Sequence, residues 1–151
     1  MLEPATSPSV PHVKPHTEAS KRAEDFAIEA ARMIRDDKAS DVVVLDVRML
    51  SSVTDYLVIA SGTSDRQMGS VIKNVGLLGA TRGFTAFRTD SDDKSTWLLA
   101  DFVDVVVHLF EPGIRSHYDL EMLWGDAPRI EWERPDQMNR DRAGLHTRRT
   151  E

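Results

Sequence analysis

TWLLADFVDVVVHLFEPGIRSHYDLEMLWGDA, residues 96–127, decides how the rest of the chain is arranged. It holds two apolar runs, a tight join between them, and then an aromatic-rich amphipathic segment. The pattern predicts a β-hairpin that feeds a helix. Pairing Asp101 with Asp104 across a join at Phe102-Val103 sets Leu99 opposite Val106 and Trp97 opposite His108, because antiparallel partners keep a constant index sum. Side chains alternate along a strand, so Trp97, Leu99, Asp101, Asp104, Val106 and His108 share one face. The opposite face reads Leu98, Ala100, Val105, Val107 and Leu109. It is wholly apolar and is expected to be core. The mixed face carries an indole, an imidazole and two carboxylates. The stretch as a whole has six acids, Asp101, Asp104, Glu111, Asp119, Glu121 and Asp126, against the single base Arg115. Such a face reads either as a solvated turn region or as a surface kept acidic for a basic partner.

Upstream, the periodicities alternate between helix and strand. Ala23, Phe26, Ala27, Ala30 and Ile34 fall on one face of a helix over 17–37. Asp41–Val47 is a β-branched strand, Ser51–Thr54 a polar join, and Tyr56–Ala60 a second strand. Gly62 ends that strand. Ser64 and Gln67 form a capping box, so a helix starts there, with Met68, Val71, Ile72, Val75 and Leu78 as its apolar stripe. Gly76 and Gly79 weaken this helix and are expected to let it pack closely on the sheet. Gly83 ends it, Phe84–Arg88 reads as a third strand and Thr89–Ser95 as a polar loop. After the hairpin, Pro112-Gly113 breaks the chain, and Ile114–Trp124 reads as a last helix stopped by Gly125 and Pro128. The order α-β-β-α-β-β-β-α predicts an α/β (α+β) domain: a mixed sheet of about five strands with packed helices.

The ends differ from the middle. Residues 1–16 hold Pro4, Pro8, Pro11 and Pro15 without apolar periodicity and are expected to be a disordered arm. Residues 129–151 set six arginines against five acids and are expected to be a disordered tail. One domain, residues 17–128, lies between them.

Composition narrows the function classes. The 151 residues carry a net charge of −6, which disfavours a free-standing nucleic-acid binder, and direct DNA binding is not expected. There is no cysteine, so disulfides and thiolate metal sites are excluded. No apolar run reaches the about 20 residues of a membrane helix, and the N-terminus has no signal-peptide core, so a cytoplasmic address is expected. Chemistry is equally sparse. No G-x-S-x-G elbow is present and nothing local arranges a Ser-His-Asp triad. Asp101 and Asp104 could share a divalent metal, but no third ligand is identifiable. The loop Ser61–Ser64 precedes a helix N-terminus, as an anion site would, yet it lacks P-loop or dinucleotide spacing. The residues alone describe a non-enzymatic interaction domain without cofactor or metal.

Three stretches together are specific. Ser52–Gln67 (SVTDYLVIASGTSDRQ), Trp97–Phe110 (WLLADFVDVVVHLF) and Arg115–Ala127 (RSHYDLEMLWGDA) resemble, in order, the motifs of the ribosomal silencing factor family (RsfS, or Iojap-like). The resemblance covers about residues 20–128. It implies a fold similar to the nucleotidyltransferases without their catalysis; no Asp-x-Asp metal pair follows Gly62-Thr63-Ser64. It also implies a translational repressor that binds ribosomal protein L fourteen on the large subunit, blocks joining of the small subunit in starved cells, and forms homodimers when free. On this chain the expected ribosome-binding residues are Trp97, Leu99, Asp101, Asp104, His108, Tyr118, Glu121 and Trp124. The aromatic and aliphatic side chains would anchor and the acids would steer. A degenerate nucleotidyltransferase-like protein binding a nucleotide at Ser61–Ser64 is one rival reading, and a plain dimeric scaffold without ribosome contact is a second. The family usually has Gly where Val103 stands, and glycine permits the positive φ of a two-residue turn. With valine there, either the turn type differs or the join is longer than Phe102-Val103.

Overall fold

A computed structural model of the chain describes residues 16–85, 88–92, 94, 96–115 and 123–135. Its elements are α1 (Glu18–Asp36), β1 (Ser40–Asp46), β2 (Tyr56–Ser61), α2 (Asp65–Thr81), β3 (Arg88–Ser91), β4 (Trp97–Asp101) and β5 (Val105–Phe110). The strands form one mixed sheet in the order β1-β2-β5-β4-β3, parallel only between β2 and β5. The α+β class and the five-stranded mixed sheet are as the periodicities predict. The N-terminal arm through residue 15, most of the expected last helix (116–122, with Tyr118 and Glu121) and residues 136–151 lie outside the described residues.

Both helices begin at a side-chain cap. Thr17 Oγ1 accepts the Ser20 N–H at 3.1 Å, and Ser64 Oγ accepts the Gln67 N–H at 3.1 Å, which satisfies donors that the first turn leaves open. The buried stripe of α1 is Ala23, Phe26, Ala27, Ala30, Ala31 and Ile34. Small residues bring its backbone close to the sheet. α2 buries Met68, Val71, Val75 and Gly79 on the same side. These helices and the sheet face bearing Val44, Tyr56, Val58, Ala100, Val105, Val107 and Leu109 make the main core. The apolar hairpin face is therefore core, as expected.

The hairpin register differs from the expected one by two residues. Trp97 pairs with Phe110, Leu99 with His108 and Asp101 with Val106. The join is Val103-Asp104, closed by the Phe102 N–H donating to the Val105 carbonyl at 2.8 Å. The Asp104 N–H donates to the Phe102 carbonyl at 3.0 Å, and Val103 sits at φ 76°. Valine thus occupies the conformation that a glycine would take, in a γ-turn with positive φ at its centre. Because the slip is two residues, the side chains that stay within the strands keep their faces. Trp97, Leu99, Asp101, Val106 and His108 still share one surface. Asp104 leaves it for the turn and Phe110 joins it.

The third strand is Arg88–Ser91 rather than Phe84–Arg88, and it takes in part of the expected polar loop. All four residues are exposed. At the outer edge of a sheet, pairing through the backbone needs no apolar alternation. Asp90 also turns its carboxylate onto the Ser91 N–H at 2.8 Å, so a charged side chain guards the edge against further pairing. Phe84 stacks on Phe26 at 4.7 Å, just past the end of α2.

Residues 129–135, placed in the tail by the sequence reading, run along β1. Arg129 bridges to Leu45, the Ile130 N–H donates to the Val44 carbonyl at 2.8 Å, and the Trp132 indole donates to the Val42 carbonyl at 3.1 Å. Arg134 pairs with Asp36 at 2.8 Å and Arg35 with Glu133 at 3.3 Å. These contacts occupy the outer edge of β1.

Two of the three glycines of α2, Gly76 and Gly79, have opposite surroundings. A Cβ on Gly79 would lie 2.6 Å from the Phe84 carbonyl and 2.8 Å from the Phe102 ring, whereas one on Gly76 would meet nothing within 4 Å. Gly79→Ala should therefore destabilise the chain by about 2 kcal/mol despite alanine's better helix propensity. Gly76→Ala should stabilise it by up to about 1 kcal/mol. Urea unfolding of the two variants checks both signs.

Candidate interaction face

The sheet face away from the helices is covered over only part of its width. Ile114, Trp124 and Ala127 pack against Val43, Leu45, Val47, Leu57, Ile59 and Phe110. Arg115, the single base of its stretch, ties this cover to the sheet: Nη1 donates to the Asp41 carbonyl at 2.7 Å and to Ser61 Oγ at 3.0 Å. Trp124 thereby belongs to the cover, half-buried against β1 and β2. Beyond it, β4 and β3 present Trp97, Leu99 and Asp101, all half-buried, with exposed Arg88 and Asp90. Arg88 stands opposite Asp101, and Asp90 opposite Leu99. A shallow depression of about 220 Å³ lies here, lined by Arg88, Asp90, Ser91, Asp92, Trp97 and Leu99.

Trp97 is fixed on three sides. Its ring stacks on His108 at 5.8 Å and on Phe110 at 5.6 Å. Its indole N–H donates to His108 Nδ1 at 3.1 Å. Its backbone N–H donates to Asp92 Oδ1 at 3.1 Å, which also accepts the Thr96 N–H at 2.6 Å, while the Thr96 hydroxyl bonds the other carboxylate oxygen. The Thr96 hydroxyl, followed by the backbone donors, holds the Asp92 carboxyl below its ordinary range. Asp92 is thus the residue that shapes the β3–β4 turn, and the sequence reading passes over it as part of a polar loop. A carboxylate four residues before a Thr-Trp pair is the one local signal for such a turn.

His108 is 8% exposed, and burial pushes its pKa from 6.5 down to about 4, against a smaller opposing pull from Asp101. The imidazole is neutral, its Nδ1 accepts, and its proton sits on Nε2. It is a packed histidine that orients Trp97. Asp101 Oδ1 accepts the Val103 N–H at 2.8 Å, so this acid braces the hairpin turn. Of the eight expected binding residues, the structure brings Trp97, Leu99, Asp101 and His108 onto one face, moves Asp104 to the turn, and places Trp124 in the cover. Tyr118 and Glu121 lie outside the described residues.

The rival loop is internally occupied. Gln67 Oε1 accepts the Thr63 N–H at 3.0 Å, and its Nε2 donates to the Asp37 carbonyl at 2.8 Å. The Gly62, Thr63 and Gln67 N–H groups are bonded within the chain, and Asp65 adds negative charge to the helix start. Among the described residues no three His, Asp or Glu side chains are grouped as a metal site requires.

The depressed pKa of His108 makes stability depend on pH. The unfolded chain binds a proton here below about pH 6.5, and the folded chain only below about pH 4. Stability from this group is full above pH 6.5 and is lost as pH falls toward 4, on the order of 3 kcal/mol in total. His108→Gln, which can still accept from the indole, should flatten the rise in urea stability across that window.

Residues 20–151 match the family described as "Ribosomal silencing factor during starvation". A ribosomal silencing factor RsfS from Bacillus subtilis is 38% identical over 99 residues, which are 66% of this chain and 84% of that protein. A mouse protein named "Mitochondrial assembly of ribosomal large subunit protein 1" is 33% identical over 95 residues, 61% of this chain and 42% of its own length. A crystal structure of a Chromobacterium violaceum protein superposes with a TM-score of 0.63 at 30% identity, covering 78% of this chain and 94% of that one. Fold, motifs and family match agree: this chain belongs to the ribosomal silencing factor family, RsfS.

Proposed function

We propose that the protein is a translational repressor that binds the large ribosomal subunit through ribosomal protein L fourteen and blocks joining of the small subunit. The observation that carries this reading is the rigid, half-exposed strip of Trp97 and Leu99. It lies beside the part of the sheet face, over β1, β2 and Phe110, that Ile114, Trp124 and Ala127 cover. A buried hydrogen bond and two stacking contacts hold the indole in place before any partner arrives, which lowers the entropy lost on binding. Repression by occupancy needs no turnover, so the protein acts without catalysis or cofactor, in the cytoplasm, when nutrients limit growth. Tyr118 and Glu121 extend the contact, and Asp101 and Asp104 supply register and steering. The free protein is a homodimer. The internally bonded Ser61–Ser64 loop speaks against the nucleotide-binding alternative.

Purified subunits test the proposal. The parent protein should lower the yield of joined ribosomes. Trp97→Ala should weaken binding by about 2 kcal/mol, about 30-fold, and lose the block. Exposed Lys73 on α2 is the control, and Lys73→Ser should act like the parent. Normal joining in the presence of saturating parent protein would refute the repressor reading. A folded Trp97→Ala variant that still blocks joining would move the binding face elsewhere.

A further inference from the structure

The two edges of the sheet are protected by different means. β3 is short, and its four exposed residues, Arg88, Thr89, Asp90 and Ser91, are polar. β1 is longer, and its centre, Val42, Val43, Val44 and Leu45, is uncharged and apolar. An edge strand of this composition is a template for another strand when its outward N–H and C=O groups are open. Residues 128–134 take up three of those groups. Arg129 bridges to Leu45 in antiparallel fashion. Two backbone bonds flank the bridge: the Asp46 N–H donates to the Pro128 carbonyl at 2.9 Å, and the Ile130 N–H donates to the Val44 carbonyl at 2.8 Å. At Val42 the donor is the Trp132 indole N–H, 3.1 Å from the carbonyl. A side chain there takes the place of the next ladder N–H.

The end of α1 grips this segment through side chains. Arg32 Nε donates to the Trp132 carbonyl at 2.6 Å. The Arg35 guanidinium lies 5.8 Å over the Trp132 ring and pairs with Glu133 at 3.3 Å. Arg134 pairs with Asp36 through two bonds, at 2.8 and 3.1 Å. Ile130 and Trp132 pack half-buried against the main core. The attachment is local rather than continuous. An open cleft of about 720 Å³ is lined by residues 39–44 and 129–133 together with Arg35. Both ion pairs are partly exposed, where such pairs hold weakly.

We propose that residues 128–134 are a releasable guard of the β1 edge, and that β1 pairs with β1 of a second copy of this chain when the α1 latch lets the guard go. The register favours a second copy. Val42, Val44 and Asp46 all turn backbone groups toward this edge. A two-fold antiparallel pair centred on Val44 therefore sets Val42 against Asp46 and Val43 against Leu45, with no like charges opposed. The Asp46 carboxylate is already paired with Arg48 at 2.9 Å. Arg32, Arg35 and Asp36, which read in the sequence as a solvated helix face, are then the parts that hold the guard shut. The edge lies outside the Trp97 strip, so the inference stands or falls apart from the large-subunit reading.

Sedimentation velocity and amide hydrogen exchange of full-chain variants test this. Trp132→Ser removes the indole bond and its packing. Arg134→Glu breaks the latch through partly exposed groups and carries the test should Trp132→Ser not unfold cooperatively. At the same concentration both variants should sediment as larger species than the parent, the more so as concentration rises. Asp36→Arg added to Arg134→Glu should restore the parent's size. In dilute variant the Asp46 amide should exchange at least about 10-fold faster than in the parent. On concentration it should slow again, because the Val42 carbonyl of a second copy becomes its acceptor. Folded variants that keep the parent's size would overturn the pairing. Larger species in which the Asp46 amide stays fast would put the association on another surface and overturn the choice of β1. An Asp46 amide as slow in both dilute variants as in the parent would overturn the latch.

Discussion

An indole stacked on a sheet face has an N–H that must find an acceptor, and His108 Nδ1 is the acceptor that Trp97 finds, 3.1 Å away. Much of the exposed side of the sheet follows from this bond. It requires a neutral imidazole, which burial enforces. It sets the indole parallel to His108 and Phe110, with interplanar angles of 19° and 13°. It fixes β4 against β5 through side chains as well as through the backbone ladder. Asp92 completes the arrangement by drawing the Thr96 and Trp97 N–H groups inward at the strand's start.

The sheet divides its two faces between stability and recognition. The helical side holds the main core, where alanines of α1 and Gly79 of α2 permit close approach. On the other side, Arg115 and Trp124 fasten a cover over β1, β2 and Phe110 but not over β3 and β4. Residues 128–132 occupy the β1 edge, and Asp90 guards the β3 edge. With both edges managed, the route left to a partner is across the open part of the face.

Much of this was legible from residue patterns. Period-2 alternation assigned each hairpin side chain to its face, and that assignment survived a two-residue register slip because parity is unchanged. The Ser64–Gln67 capping box and the Ala-rich stripe of α1 located both helices. The turn itself was not legible: Val103 holds a conformation that composition assigns to glycine, since the neighbouring Asp101 carboxylate and the Phe102–Val105 bond over-determine it. β3 carried no pattern because an exposed edge strand buries no side chains. Among the expected site residues, Trp97, Leu99, Asp101 and His108 share a face for the reason the alternation gives. Trp124 has the composition of an anchor and the position of a cover, and only tertiary packing tells these apart. Asp92 and Arg115 act through backbone partners distant from any motif.

The proposed function sets one side of this sheet, and not the helical side, against the large ribosomal subunit. Amide hydrogen exchange of the full chain, free and with purified large subunits, measures it directly. Exchange should slow in residues 88–99, with α1 and α2 unchanged. Protection confined to α1 and α2, with residues 88–99 exchanging as in the free protein, would sink the proposed binding face.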